Sequence, residues 1–366
     1  MDDDVDRSPL PHRTRVSRRS ALLGLAAVGG VSAANVGAFL YSGGWLSIEK
    51  LTPAKIADRF EQVYGKHEGF RRNHAKGVSV SGFFDSNGSG VAVSKASVFR
   101  RDRVPVTGRF SLSGGMPYAD DANATIRGLG LLFHSPNGEQ WRTAMVNIPV
   151  FPDNTVQGFH DRLLASKPLA TTGQPDPRKM TDFLAEHPET AKAMAIIKKT
   201  PPASGFDNST FNSLNAFLAT NDAGETVAVR WSLVPVQPVT ATQAPPPAGR
   251  DYLFDELISK VADGPLQWRL ILTIGEPDDP TNDPTKPWPD SRRKIDVGTI
   301  TIDSTQTEAP GNARDTNFDP LVLPNGLAGS DDPLLSARSA VYSQSFTRRA
   351  GEPKHPSAID VSKERR

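Results

Sequence analysis

Eight short β-rich segments between residues 77 and 302 constrain the fold of this chain more than any other feature of its sequence. Turn-forming stretches such as Ser86-Asn87-Gly88 and Ser135-Pro136-Asn137-Gly138 separate the segments in the manner of antiparallel strands. About eight such strands in one chain favour a closed barrel. The segments are GVSVSGFF (77–84), GVAVSKASVF (90–99), VPVTGRFSLSG (104–114), ATIRGLGLLFH (124–134), WRTAMVNIPVF (141–151), ETVAVRWSLVPV (225–236), LQWRLILTIGE (266–276) and RKIDVGTITI (293–302).

Helices are predicted between and around these strands, which makes the fold class α+β. In LTPAKIADRFEQVYGKHE, Thr52-Pro53 is a helix start signal, and Ile56, Phe60 and Val63 recur at spacings of three to four residues. Three further helices are predicted over 155–166, 178–198 and 251–262. Surface loops are predicted over 201–214, 244–249 and 277–289.

Charge and cysteine content exclude several kinds of chemistry. The 366 residues include 42 basic and 41 acidic side chains, so no global field favours nucleic acid as a partner. The absence of cysteine removes disulfides, thiolate nucleophiles and thiolate metal ligands. The sequence also lacks G-x-S-x-G, Walker A and H-E-x-x-H motifs, and the glycines of GSGVAV and GLGLLF are attributed to strand packing. Hydrolase, NTPase and zinc-protease functions are therefore disfavoured.

The N-terminal 45 residues resemble a twin-arginine export signal. Arg18 and Arg19 precede an Ala/Gly/Leu-rich run, which predicts export to a bacterial periplasm. Small residues at 32–34 favour cleavage, whereas residues 20–41 are also long enough for an uncleaved helix in the inner membrane, so both outcomes stay open. The predicted organisation is an export signal or anchor over 1–45, a folded domain over 46–350 and a solvated polar tail over 351–366.

The heptapeptide RRNHAKG at 71–77 contains a candidate catalytic base. Arg71, Arg72 and Lys76 are expected to lower the pKa of His74 and to keep its imidazole neutral near pH 7. A neutral imidazole can accept a proton. The alternative is an ordinary surface or core histidine.

A second candidate lies near the C-terminus, in SARSAVYSQSFTRR. Arg338 precedes Tyr342 by four residues, which places both on one face of a helix. A guanidinium beside a phenol favours the phenolate, and phenolate is a known ligand of ferric haem. The alternative is a tyrosine that packs on the core beside a surface arginine.

Five motifs together resemble the catalase superfamily, and in particular its small, exported branch, the catalase-related peroxidases. They are RRNHAKG, VPVTGRFSLSGGMPYADDANATIRGLGLLF, MVNIPVF, FDPLVLPNGLAGSDDPLL and RSAVY, and they occur in the family's order over about residues 50–350. The resemblance implies a catalase-like antiparallel eight-stranded β-barrel with surrounding helices. It also implies haem b, with its iron, between the barrel and the helices.

The resemblance assigns roles to individual residues. His74 matches the distal histidine and Asn147 the distal asparagine, while Tyr342 matches the proximal iron ligand with Arg338 as its hydrogen-bonding partner. The other matched residues are Arg71, Arg109 and Arg349 for the haem propionates, Ser111 as support for His74, and Phe151 and Phe159 in the distal pocket.

The family's chemistry is peroxide cleavage. His74 would transfer a proton between the two oxygens of hydrogen peroxide or an organic hydroperoxide while Asn147 orients them, which leaves a ferryl haem that oxidises a small organic donor. Three departures from the sequences of large catalases favour peroxidase over catalase turnover. The expected role of such an enzyme is in the oxidative stress response. Asn73 replaces a valine, SQSFTRR replaces an Asp-Thr pair after Tyr342, and neither an N-terminal arm nor a flavodoxin-like domain is found.

Two other functions are kept as alternatives. One is a hydroperoxide isomerase of the allene oxide synthase type, and the other is an exported haem- or lipid-binding barrel without turnover. The expected assembly is a monomer or a small homo-oligomer, with N-terminal membrane association if the leader is retained.

Overall fold

The computed structural model describes residues 51–363, apart from 124, 170, 173, 201–202 and 239–248. In this part of the chain, eight antiparallel strands form a closed barrel, as the sequence predicted. Strand β9 closes the barrel by pairing with β1. In order around the barrel the strands are β1 Gly77–Ser86, β2 Arg103–Leu112, β3 Arg127–His134, β4 Gln140–Val146, β5 Phe211–Asn212, β7 Thr226–Pro235, β8 Leu266–Ile274 and β9 Lys294–Gln306. Two short strands, β6 Phe217–Thr220 and β10 Leu327–Gly329, add to the edge of β7 in that order.

The two faces of the barrel wall differ because side chains alternate along each strand. On β2, Phe110 and Leu112 belong to the apolar core inside the barrel, whereas Arg109 and Ser111 line a cavity outside it. The interior is rich in aromatic rings, and Trp141 packs between the rings of Phe133 and Trp231 at centroid distances of 4.6 and 5.1 Å. The packed interior leaves the outer face of the wall to form a site.

One predicted strand is wrong, and one strand of the barrel was predicted as loop. Residues 90–99 form no strand; two 3₁₀ turns, Ser89–Ala92 and Ser97–Phe99, carry Val98 and Phe99 into the core. Burial of these apolar side chains in a compact turn explains their strand-like pattern. Strand β5 lies in the predicted loop 201–214, and its two residues are too few to show a period-2 pattern.

Six α-helices occur in the part of the chain that the structure describes. The predicted helix over 178–198 is two helices, because Pro188 cannot donate to the preceding turn and His187 takes a non-helical conformation. The other predicted helices are present. The six are α1 Pro53–Tyr64, α2 Val156–Ala165, α3 Pro177–Glu186, α4 Pro188–Lys199, α5 Tyr252–Asp263 and α6 Pro333–Ala350.

The predicted polar tail is partly wrong. Ile359 and Val361 are 3% and 5% exposed and join the barrel core, so residues 351–363 pack on the domain rather than extend into solvent. The predicted export signal over 1–45 and the loop residues 244–248 lie outside the described residues. Within the described ranges, no helix is long and apolar enough to cross a membrane.

Candidate active site

A cavity of about 180 Å³ lies between the outer face of the barrel and helices α1, α2 and α6. One water molecule needs roughly 10–15 Å³, so the space suits a ligand much larger than water. The barrel side contributes residues of β2, β3 and β4, and the helix side contributes most of one face of α6. Asn147 does not line the cavity, but the other nine of the ten predicted site residues do: Arg71, His74, Arg109, Ser111, Phe151, Phe159, Arg338, Tyr342 and Arg349.

His74 enters the cavity from a constrained loop just before β1. Its φ is +57°, in the left-handed region, where histidine is one of the less disfavoured residues. Such a conformation costs about 1–3 kcal/mol and is found where surrounding contacts enforce it. Among the described residues only one other non-glycine residue has a positive φ, Leu214 at +65°, and it lines the same cavity.

The His74 imidazole is held by a hydroxyl and is strongly biased toward its neutral form. Its Nδ1 lies 3.0 Å from Ser111 Oγ, and a Cβ at Gly128 would come within 3.0 Å of the ring. Burial, which is the largest cause, and the charges of Arg109, Arg338 and Arg71 together lower the pKa of His74 to about 3. When Nδ1–H donates to Ser111 Oγ, Nε2 is an unprotonated base.

The pKa of His74 is lowered, as the sequence predicted, but only one of the three predicted cations contributes to the shift. Arg71 does act on the pKa of His74, yet burial is the largest cause and Arg109 and Arg338 contribute as well. Arg72 and Lys76 do not act on it, because their charges are paired in ion pairs elsewhere. These pairs join Arg72 to Glu61 and Glu352, and Lys76 to Asp121 and Asp251.

Three arginines, of which Arg109 and Arg349 are buried, lie at one end of the cavity near the carboxylate of Glu308. Arg109 forms a two-point ion pair with Glu308, at 2.8 and 2.9 Å. Arg71 and Arg349 hydrogen-bond backbone carbonyls only, both reaching the Thr316 oxygen. Burial and the neighbouring guanidinium charges lower the pKa of Arg71, and burial lowers that of Arg349 to about 10. Because three positive side chains lie beside one negative side chain, a ligand that carries negative charge is favoured here.

The helix side of the cavity presents Tyr342 beside an anchored arginine. Arg338, one turn earlier on α6, donates to Asn215 Oδ1 and, at 3.0 Å, to the Ala144 carbonyl of β4. Asn215 in turn donates to Asp332 Oδ2 at 2.6 Å. The predicted hydrogen bond between Arg338 and Tyr342 is wrong, because Asn215 and Ala144 take the guanidinium instead. Among the described residues the Tyr342 hydroxyl has no hydrogen-bond partner. The phenol oxygen is thus available to a ligand.

Asn147 is bonded to the barrel backbone. Its Oδ1 accepts from the Arg127 amide at 2.8 Å, and its Nδ2 donates to the Thr125 carbonyl at 3.3 Å. The predicted apolar residues of the pocket are both in the cavity wall, where the rings of Phe151 and Phe159 lie 6.0 Å apart.

These features match a known family. The family model described as Catalase matches residues 60–363. The chain belongs to the catalase family. Two relatives named catalase-related peroxidase cover 82% of this chain: that of Synechococcus elongatus is 34% identical with 89% of its own length covered, and that of Mycolicibacterium paratuberculosis is 32% identical with 96% covered.

Solved catalase structures share the fold. A fungal catalase superposes with a TM-score of 0.69 at 22% identity, over 84% of this chain and 64% of the catalase. A bacterial catalase superposes with a TM-score of 0.68 at 23% identity, over 78% of this chain and 58% of the catalase. This chain therefore spans about three fifths of the length of these catalases.

Catalase-family proteins bind haem, and the cavity residues of this chain fit that group. A haem is a flat apolar macrocycle with two carboxylates at one edge and iron at its centre. Arg71 and Arg349 form no ion pair within the described part of the chain, so their guanidiniums suit the carboxylates. The Tyr342 hydroxyl has no hydrogen bond there, so its oxygen suits the iron. Aromatic and aliphatic side chains cover much of the remaining wall.

Three residues of this site were missed by the sequence analysis. Asp332 could have been noticed, because Asp332-Pro333 is a helix start signal and Asp332 caps α6 by accepting from the Leu334 amide at 2.9 Å. Glu308 and Asn215 carry no local signal, since each meets its arginine only through the folded chain.

Proposed function

We propose that this chain is a haem b-dependent peroxidase that cleaves hydrogen peroxide or organic hydroperoxides heterolytically and oxidises small organic donors. The observation that carries the proposal is a neutral histidine base and a free tyrosine oxygen that line one cavity. Haem iron, when bound, supplies the site at which the peroxide oxygen binds and the store of oxidising equivalents.

The distal chemistry of the chain is proton transfer by His74. Its Nε2 accepts the proton from the oxygen that binds and returns it to the oxygen that leaves, so that the leaving group departs as water or an alcohol. Because the pKa of His74 is about 3, the base stays unprotonated across the physiological pH range. Ser111 keeps the ring oriented through Nδ1.

The helix side of the cavity fixes Arg338 one turn away from Tyr342. The hydrogen bonds of Arg338 to Asn215 and Ala144 keep its guanidinium in place. Arg71, Arg109 and Arg349, which line the same cavity, would hold the haem carboxylates.

Peroxidase turnover is tested against catalase turnover by steady-state assays on the purified full chain. We expect a haem optical spectrum that changes on addition of stoichiometric peroxide, oxidation of phenolic or aromatic amine donors, and slow release of oxygen. His74→Ala should retain haem and lose roughly 100- to 10,000-fold in the rate of the peroxide reaction. Fast oxygen release with no donor oxidation would contradict the peroxidase proposal, and full reactivity of His74→Ala would contradict the role of the base.

We further propose that the chain acts in the periplasm. Twin arginines ahead of an apolar run support this location, because that pattern directs export of folded, cofactor-loaded proteins. Replacing Arg18 and Arg19 by lysine should retain the protein in the cytoplasm. Fractionation of cells that express each form tests this, and an unchanged distribution would argue against it.

A further inference from the structure

Asn73 makes two hydrogen bonds that connect the His74 loop to the turn after β2. Its Oδ1 accepts from the His74 amide at 3.0 Å and from the Gly114 amide at 2.8 Å. The same two segments are joined a second time, since the Ala75 amide donates to the Gly114 carbonyl at 3.0 Å. Asn73 also lines the cavity.

These bonds act at the most constrained point of the site. His74 has a φ of +57° and Gly114 has a φ of +107°, so both backbones occupy the left-handed half of conformational space. A glycine adopts this conformation without strain, but a histidine needs contacts that enforce it. Asparagine oxygens commonly accept from the backbone amides that follow them, and here one oxygen accepts from the amides of both positive-φ residues.

We propose that Asn73 is a positioning residue for His74. Its Oδ1 fixes the backbone of His74 and thereby sets the direction of the Cα–Cβ bond from which the imidazole enters the cavity. Ser111 then fixes the ring at its other end through Nδ1. The consequence for the reaction rests on the proposed function, whereas the consequence for the backbone does not.

Three substitutions separate the accepting oxygen from the rest of the side chain. Asn73→Leu removes the accepting oxygen but keeps a side chain of similar size. Asn73→Asp keeps an accepting oxygen and removes the amide N–H donor. Asn73→Ser offers a hydroxyl oxygen, which is a weaker acceptor. The matched control is Asn221→Leu. Asn221 is half-buried in the turn before β7, and its Oδ1 accepts from the amides of Ala223 and Glu225 at 3.0 and 2.9 Å, outside the cavity lining.

Two measurements are made on the haem-loaded full chain. Amide hydrogen exchange, followed by mass spectrometry of peptides, reports the backbone at 74 and 114. Stopped-flow mixing with hydrogen peroxide at pH 8 reports the reaction.

For Asn73→Leu we expect exchange at these amides to become at least tenfold faster and the peroxide rate constant to fall about 10- to 100-fold, as for other misplaced catalytic groups. Asn73→Asp should stay close to the native protein in both measurements, and Asn73→Ser should lie between the two. Asn221→Leu should speed amide exchange only in its own turn and leave the peroxide rate constant native.

Two outcomes overturn the proposal. Native exchange at 74 and 114 in Asn73→Leu would show that the oxygen does not hold the loop. Native exchange in Asn73→Asp together with a full loss of peroxide reactivity would show that the amide contacts the substrate directly instead of acting through His74. If the native chain itself does not react with peroxide, the proposed function fails, and the exchange series still decides the role of Asn73.

Discussion

The barrel side and the helix side of the cavity hold their candidate reactive groups by opposite means. On the barrel side, His74 is half-buried, with a hydroxyl as its hydrogen-bond partner and with three arginines as the charged groups that shift its pKa. On the helix side, Arg338 is connected through Asn215 to the buried carboxylate of Asp332. The His74 base stays neutral because its charged neighbours are cations. Arg338 stays in place because Asn215 joins it to a fixed carboxylate.

Arg338 connects the two sides. Its positive charge lowers the pKa of His74 across the cavity, and its hydrogen bond to the Ala144 carbonyl fixes α6 to the barrel wall. One anchored guanidinium thus favours the neutral base on one side and joins the helix that carries Tyr342 to the barrel on the other. We therefore expect substitutions around Tyr342 to change haem binding, and substitutions around His74 to change the peroxide reaction alone.

The largest effect is expected for Tyr342→Phe. The tyrosine hydroxyl has no hydrogen bond among the described residues, so its loss should leave the folding of the haem-free chain almost unchanged. Haem affinity should fall more than 100-fold, because loss of a ligand exceeds the 10- to 100-fold cost of disturbing the groups around one. Haem titration followed by absorbance measures this. Native haem affinity in Tyr342→Phe would contradict the assignment of the helix side.

A smaller effect on the same side is expected for Asn215→Leu. The substitution leaves Asp332 and Arg338 without the amide that joins them, and each unpartnered buried group costs about 1–3 kcal/mol. We expect lower stability in urea, and an altered haem spectrum because Arg338 is free to shift. Asn221→Leu is the control for loss of a half-buried asparagine away from the cavity. Equal spectra for the two variants would show that the Asn215 link does not affect Tyr342.

The sequence predicted the barrel and most of the site because both depend on local patterns or on short motifs. Seven of the eight predicted strands exist, since alternation along a long strand is a local signal. The two-residue strand β5 and the turns over 90–99 were missed because pairing and burial over a distance decide them. In the same way, Asn215 and Glu308 reach their arginines only in the folded chain, whereas Arg338 and Tyr342 share one helix face.

The pH dependence of the two sides should also differ. Burial raises the pKa of Asp332 from 3.8 to about 6, against the opposing effects of Asn215, the Leu334 amide, Arg338 and Arg230. The folded chain therefore holds this proton longer than the unfolded chain does, so this group lowers stability as pH rises from about 4 to 6. A haem spectral change with a midpoint near pH 6 is expected, and Asp332→Asn should abolish it.

The control for this titration is the barrel side of the same protein. With a pKa of about 3, His74 should give no step in the peroxide rate constant between pH 5 and pH 9. A step near pH 6 that survives in Asp332→Asn would mean that His74, rather than Asp332, titrates in this range.

The smallest effect is expected for Ser111→Ala, which removes the only hydrogen bond that the His74 ring makes among the described residues. A hydrogen bond between neutral groups contributes about 1 kcal/mol, so the peroxide rate constant should fall about fivefold while haem affinity stays native. Ser111→Thr keeps the hydroxyl and should restore most of the rate. If Ser111→Ala instead lowered haem affinity and left the peroxide rate unchanged, the division of labour between the two sides of the cavity would be wrong, because a barrel-side group would then be acting on the haem rather than on the base.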